Sequence, residues 1–153
     1  MLPAKMPSRT SSLVSYPGQR GSRHEQHVAL DTRFLIVDGD RPVGLSLSFM
    51  LEARGYGEVR AVRSAARAEA IFGVFQPDIV FLDLDPPDSG NMQLPERLRR
   101  ISRLRNFRLI ALTRNVEHPL RDQARDAGFE RYLVKPVAQD ELDKVLFIPA
   151  TTS

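Results

Sequence analysis

The chain has 153 residues, a formal net charge of +3, 42% apolar and 27% charged residues, proportions that suit one globular domain with a sizeable core. It contains no cysteine, which excludes disulfides, thiol nucleophiles and cysteine-ligated metals. No stretch reaches the roughly 18 consecutive apolar residues of a membrane helix, and the N-terminal segment lacks the apolar block of a secretory signal.

Residues 1–32 are rich in Pro, Ser, Gly and Arg without periodicity, and are expected to form a disordered tail. The tail includes HEQH, whose His24 and His27 have the spacing of a shared metal but no third ligand nearby. FLIV (34–37) is a continuous apolar run, the pattern of a strand buried on both faces. Pro42 suits the first turn of a helix with Asp40 as its cap. Val43, Leu47, Met50 and Leu51 follow at helical spacing up to a stop at Gly55. A short strand is expected at Glu58–Val62. Next comes a helix capped by Ser64, with Ala68, Ile71, Phe72 and Phe75 on one face, ended by Pro77. DIVFLDL (78–84) predicts a second fully buried strand. The loop PPDSG (86–90) leads to a helix aligning Leu94, Leu98 and Ile101.

RLRRISRLRNFR (97–108) holds six arginines. With no aromatic stacking residue or groove-reading motif beside them, they are assigned to a solvated helix face rather than to nucleic acid. LIALT (109–113) is a strand, and Pro119 opens a helix with Leu120, Ala124 and Ala127 aligned, stopped by Gly128. YLV (132–134) is the last strand. The final helix, Gln139–Phe147, buries Leu142, Val145 and Leu146.

Strand and helix thus alternate five times, which specifies a parallel sheet with helices on both faces. In such a sheet ligands bind beyond the carboxyl ends of the strands. The first strand delivers Asp38 and Asp40 to that edge, the third Asp83 and Asp85, the fourth Thr113 and the fifth Lys135. Carboxylates, a hydroxyl and a lysine meeting at one edge do not serve core packing. A dinucleotide site would need a glycine-rich turn after the first strand. GYGEVR (55–60) follows a helix instead, and no phosphate-loop motif occurs. A hydrolase would need a nucleophile beside a base, and His118, the histidine of the folded region, precedes a proline at a helix start.

IVDGD, FLDLD, IALT and YLVKP, in this order and at these intervals, resemble a bacterial two-component response-regulator receiver domain of the chemotaxis-regulator type, over about Arg33 to Phe147. The resemblance implies a flavodoxin-like α/β fold: a doubly wound five-stranded parallel sheet of order 2-1-3-4-5. It places the receiver at 33–147, between the tail and a short C-terminal tail, 148–153, with no output domain. It makes Asp83 the phosphoacceptor, Thr113 and Lys135 the phosphate-binding pair and Tyr132 the switch aromatic. Mg²⁺ would be held by Asp38, Asp83 and, as secondary candidates, Asp40 and Asp85. The implied function is phosphorelay signal transduction in the cytoplasm. Asp83 takes a phosphoryl group from a histidine kinase or phosphotransfer protein, and the signal passes to an unknown downstream protein by association rather than by enzymatic turnover. The last helix with the fourth and fifth strands is the expected face for partners or a homodimer.

The chemistry suits those residue types. A carboxylate attacking phosphorus needs the phosphoryl charge neutralised, oxygen ligands suit Mg²⁺, and a lysine adds a second positive charge. The sequence departs from the family at Gly39, where the second of two adjacent acids belongs. Asp40, one residue on, points to the other side of an extended chain. Arg114 also stands where the family has a small residue. These departures define an alternative: a degenerate receiver that signals without phosphorylation, with the Arg114 guanidinium pairing with Asp83 or Asp85 in place of the metal.

Overall fold

The computed structural model describes residues 13–14, 26–86, 89–102, 106–115, 117 and 119–148. His24, Pro87, Asp88, Arg103, Arg105 and His118, singled out in the sequence, lie outside the described residues. In chain order the elements are β1 (Leu13–Val14), β2 (Gln26–Val28), β3 (Arg33–Val37), α1 (Arg41–Ala53), β4 (Glu58–Val62), α2 (Ala65–Phe75) and β5 (Ile79–Asp83). A 3-10 turn, Asn91–Gln93, then leads into α3 (Leu94–Ser102), β6 (Arg108–Thr113), α4 (Arg121–Asp126), β7 (Phe129–Val134), α5 (Gln139–Leu146) and β8 (Phe147–Ile148).

The central sheet has the order β4-β3-β5-β6-β7, with every neighbouring pair parallel. This is the expected 2-1-3-4-5 winding of a doubly wound α/β fold. Alternation along each strand sorts the core into two layers. Phe34, Ile36, Phe81, Ile110, Leu112 and Leu133 face α1 and α5, where Leu47, Leu51, Leu142 and Leu146 meet them. Leu35, Val37, Val80, Leu82, Leu109 and Ala111 face the other way, against Phe72, Leu98 and Ala124 of α2, α3 and α4. All twelve strand residues are at most 1% exposed, so each contributes on the order of 1–3 kcal/mol of burial. Phe34 sits between Phe81, stacked at 6.2 Å, and Tyr56, edge-on at 5.0 Å.

Several termini follow the sequence signals. Ser64 caps α2 by accepting from the Arg67 N–H at 3.1 Å. Gly55 and Gly128 end α1 and α4 with φ of 96° and 99°, a region that L side chains rarely adopt.

Other details differ from the expectation. Asp40 occupies the N-cap position of α1 but makes no side-chain cap hydrogen bond, because its carboxylate is engaged elsewhere. Helix α4 starts at Arg121 rather than at Pro119, and Ile101 is 40% exposed. Phe147 has extended backbone and leaves α5 for β8.

The largest correction concerns the N-terminal boundary. Residues 26–32 are not tail. Strand β2 pairs antiparallel with β1 and with β8, His27 meets Phe147 edge-on at 6.2 Å, and Val28 and Ala29 are buried. The Tyr56 hydroxyl donates to the Val28 carbonyl at 2.9 Å. Among the described residues no helix is long and apolar enough to cross a membrane.

Candidate functional site

The carboxyl ends of β3, β5 and β7 bring Asp38, Asp83 and Lys135 together. All three continue the alternation that turns Ile36, Phe81 and Leu133 toward α1 and α5, so period-2 geometry alone puts them on one side of the sheet. They are 2%, 6% and 8% exposed. The Lys135 ammonium donates to Asp83 Oδ1 at 2.8 Å and to Asp38 Oδ2 at 3.0 Å. Each carboxylate also accepts a backbone N–H two residues on: Asp40 N–H to Asp38 Oδ1 at 2.8 Å, and Asp85 N–H to Asp83 Oδ1 at 2.9 Å.

One ammonium shared by two buried carboxylates leaves the charges unequal. Burial pushes the Asp83 carboxyl up from its ordinary value. The Lys135 and Asp85 hydrogen bonds offset part of that push, while the Asp38 charge adds to it. Burial works against the Lys135 ammonium too, but two carboxylates outweigh it and its pKa is raised. Asp83 shares the lysine, whereas the lysine has both acids to itself.

A second group of contacts lies beside the first. Thr113 ends β6 with its side chain completely buried. Its hydroxyl accepts from the Asn115 N–H at 3.1 Å and lies 3.0 Å from Asp85 Oδ1 and 3.2 Å from the Asn115 carbonyl. Asp85 Oδ2 accepts from the Arg114 N–H at 2.7 Å and stands 3.9 Å from Lys135 Nζ. Tyr132 pairs in register with Ala111, on the opposite side of the sheet from Lys135. Its hydroxyl donates to the Arg121 carbonyl, and the Arg121 guanidinium lies 5.5 Å from its ring centroid. Burial raises the Tyr132 pKa against the opposing charges of Arg121 and Arg125.

The expected arginine substitution is corrected. The Arg114 guanidinium pairs with neither Asp83 nor Asp85 but reaches across to the Asp40 carboxylate; it is the backbone N–H of Arg114 that meets Asp85. Among the described residues, the cation that Asp38 and Asp83 share is the Lys135 ammonium.

Nor does the donor set fit a dedicated Mg²⁺ site. Gly39 offers no side chain, Asp40 is turned to Arg114, and both Asp85 oxygens accept from the β6 end. Among the described residues, no three His, Cys, Asp or Glu side chains are grouped so as to hold a metal ion.

Two polar groups escaped the sequence reading. Asn91 donates through Nδ2 to the Asp83 carbonyl at 2.7 Å and fixes the loop behind the acid. Asn115 orients the Thr113 hydroxyl. An asparagine in a loop carries no periodic signal that would single it out.

Comparison with known proteins identifies the family and the fold. Residues 34–147 match the family described as response regulator receiver domain. The DNA-binding dual master transcriptional regulator RpaA of Synechocystis sp. is 32% identical over 110 residues, covering 72% of this chain and 45% of its own length. The phosphate regulon transcriptional regulatory protein PhoB of Pseudomonas aeruginosa is 30% identical over 108 residues, with coverages of 71% and 47%. The chain therefore spans about half the length of these curated relatives. Among solved structures, a CheY-like receiver domain from Methanospirillum hungatei superposes with a TM-score of 0.65 at 27% identity, covering 75% of this chain and 90% of that one. The chemotaxis protein CheY4 of Vibrio cholerae gives a TM-score of 0.67 at 22% identity, with coverages of 76% and 96%, a likeness of fold. The chain belongs to the response-regulator receiver family.

Proposed function

We propose that this receiver domain is an interaction module that signals by association with other proteins and without phosphorylation of Asp83. One observation carries the proposal: the Asp40 carboxylate is held by Arg114 beside a glycine, while among the described residues the Lys135 ammonium alone serves Asp38 and Asp83. A phosphoryl donor approaching Asp83 would meet two buried carboxylates with a single lysine to neutralise the charge, and repulsion between anions raises the barrier. The domain turns over no substrate. Partners dock on the face of β6, β7 and α5, where a second copy of the chain is an alternative occupant.

The test is incubation with acetyl phosphate and Mg²⁺ followed by intact-mass measurement. No phosphoryl adduct is expected at any Mg²⁺ concentration. An adduct that disappears in Asp83→Asn overturns the proposal and supports the second reading, in which a histidine kinase or phosphotransfer protein phosphorylates Asp83. That reading is favoured by the 2.8 Å contact of Lys135 with Asp83 and by Thr113 at the end of the neighbouring strand.

A further inference from the structure

Three hydrogen-bond donors from two strands converge beside Asp83: the Thr113 hydroxyl, the Arg114 N–H and the Lys135 ammonium. Such a set forms a seat for an anion, because hydroxyl, amide and ammonium protons aimed at one point stabilise negative charge held there. The seat is filled from within. Asp85 Oδ1 accepts from Thr113 at 3.0 Å, and Asp85 Oδ2 accepts from Arg114 at 2.7 Å with Lys135 3.9 Å away.

Asp38 and Asp83 each accept the N–H two residues on, an ordinary local turn bond, and share the Lys135 ammonium. Asp85 is bonded instead to the end of the neighbouring strand β6. The side-chain bonds of Asp85 run to residues 28 and 29 positions away. A loop acid serving only its own turn would not cross to the next strand.

The strand end that forms the seat runs on into the β6–α4 connection. Asn115 donates its N–H to Thr113 and accepts the Glu117 N–H at 2.9 Å through its side chain. The same β6–α4 connection ends at Arg121, whose carbonyl takes the Tyr132 hydroxyl. Among the described residues, Thr113 and Arg114 before the connection are bonded to Asp85, and Arg121 after it to Tyr132.

We propose that Asp85 is a resident anion which occupies the seat at the end of β6 and thereby sets the α4–β7 face without any external phosphate. This deepens the association proposal and rests on it, since it names what fixes the surface presented to partners. An internal carboxylate has no association entropy to overcome, so it outcompetes a free oxyanion for the same donors.

The experiment is amide NMR of the full chain, wild type and Asp85→Ala, with and without inorganic phosphate, in the absence of Mg²⁺ and phosphodonors. In Asp85→Ala the amides of Thr113 and Arg114 are expected to shift, and those of Arg121 and Tyr132 with them. The variant's Arg114 amide should then respond to inorganic phosphate at concentrations about tenfold or more below any wild-type response. Unchanged Arg121 and Tyr132 signals, or a phosphate response no stronger than that of the wild type, overturn the inference. If Asp85→Ala fails to fold, Thr113→Val removes the principal donor from the other side, and the same movement at Arg121 and Tyr132 is required of it. Phosphorylation of the wild type by acetyl phosphate would sink the association proposal while leaving these phosphodonor-free shifts as they are.

Discussion

Arg114 and Asp40, 74 positions apart, form an ion pair between the ends of β6 and β3, and the pair is partly open to solvent, with side-chain exposures of 63% and 35%. An exposed pair of this kind contributes little to stability, about 0–1 kcal/mol, because water screens it and two long side chains must be held in place. Arg114→Ala is therefore expected to lower the urea midpoint only slightly. A loss above about 2 kcal/mol would mean that the guanidinium has a structural role beyond Asp40.

Restoring the acid that Gly39 replaces should strengthen Mg²⁺ binding beside Asp83. A Cβ at position 39 would meet nothing nearer than the Arg63 carbonyl oxygen at 3.6 Å, an ordinary van der Waals contact. Gly39→Asp should accordingly fold as the wild type does, and add a third carboxylate to Asp38 and Asp83. Mg²⁺ affinity measured by calorimetry is expected to rise by about tenfold or more, since oxygen ligand number and charge dominate binding of this hard cation. No change would show that the glycine is not what weakens the site.

Lys135 is the sole cation bonded to Asp38 and Asp83 among the described residues, and its removal leaves two buried carboxylates uncompensated. Lys135→Met keeps the length and apolar stem of the side chain but deletes the charge. Breaking one partner of a buried pair costs about 3–5 kcal/mol, a large part of the stability of a small domain. Urea unfolding at neutral pH should show that loss, and Lys135→Arg should recover part of it.

Much of this arrangement is legible in the sequence, for reasons that stop at identifiable points. Asp38, Asp83 and Lys135 follow apolar runs whose alternation fixes both their edge and their side of the sheet, so their meeting is readable from parity. Tyr132 and Thr113 are readable in the same way. The destinations of Asp40 and Asp85 are not, because each chooses a partner on a strand distant in sequence, Arg114 in one case and Thr113 in the other. Strand β2 was invisible for a related reason. The segment QHV has no period, and its order comes from β8 and Tyr56, both far along the chain.

Asp83 provides a pH-dependent signature. Its folded pKa lies above its unfolded value of about 4. Between those two values the folded state binds the proton more tightly, so this residue's contribution to stability falls as pH rises and is lowest above the folded pKa. Asp83→Asn removes the effect. Relative to wild type, the variant should gain stability as pH rises from about 4 toward neutral, which paired urea unfolding curves would show. Lys135 acts in the opposite window. With its folded pKa raised, its contribution is complete below about 10.5 and is lost as pH rises through the folded value. A difference curve that stays flat between pH 4 and 7 would show that Lys135 neutralises the burial of Asp83 in full.

The N-terminal strand belongs to the domain, and cutting it should reveal that. Val28 is 6% and Ala29 4% exposed, and Tyr56, itself 1% exposed, donates its hydroxyl to the Val28 carbonyl. Deleting residues 1–29 uncovers that apolar surface and removes this acceptor. The two effects together cost about 2–4 kcal/mol, with unsatisfied polar burial supplying about 1–3 of it. Tyr56→Phe within the truncated chain separates them, because it removes the hydroxyl that has lost its acceptor. It should recover about 1 kcal/mol in the truncated chain and cost about that much in the full one. Equal costs in both backgrounds would mean that the hydroxyl finds another acceptor once the strand is gone, and that the loss on truncation comes from apolar surface alone.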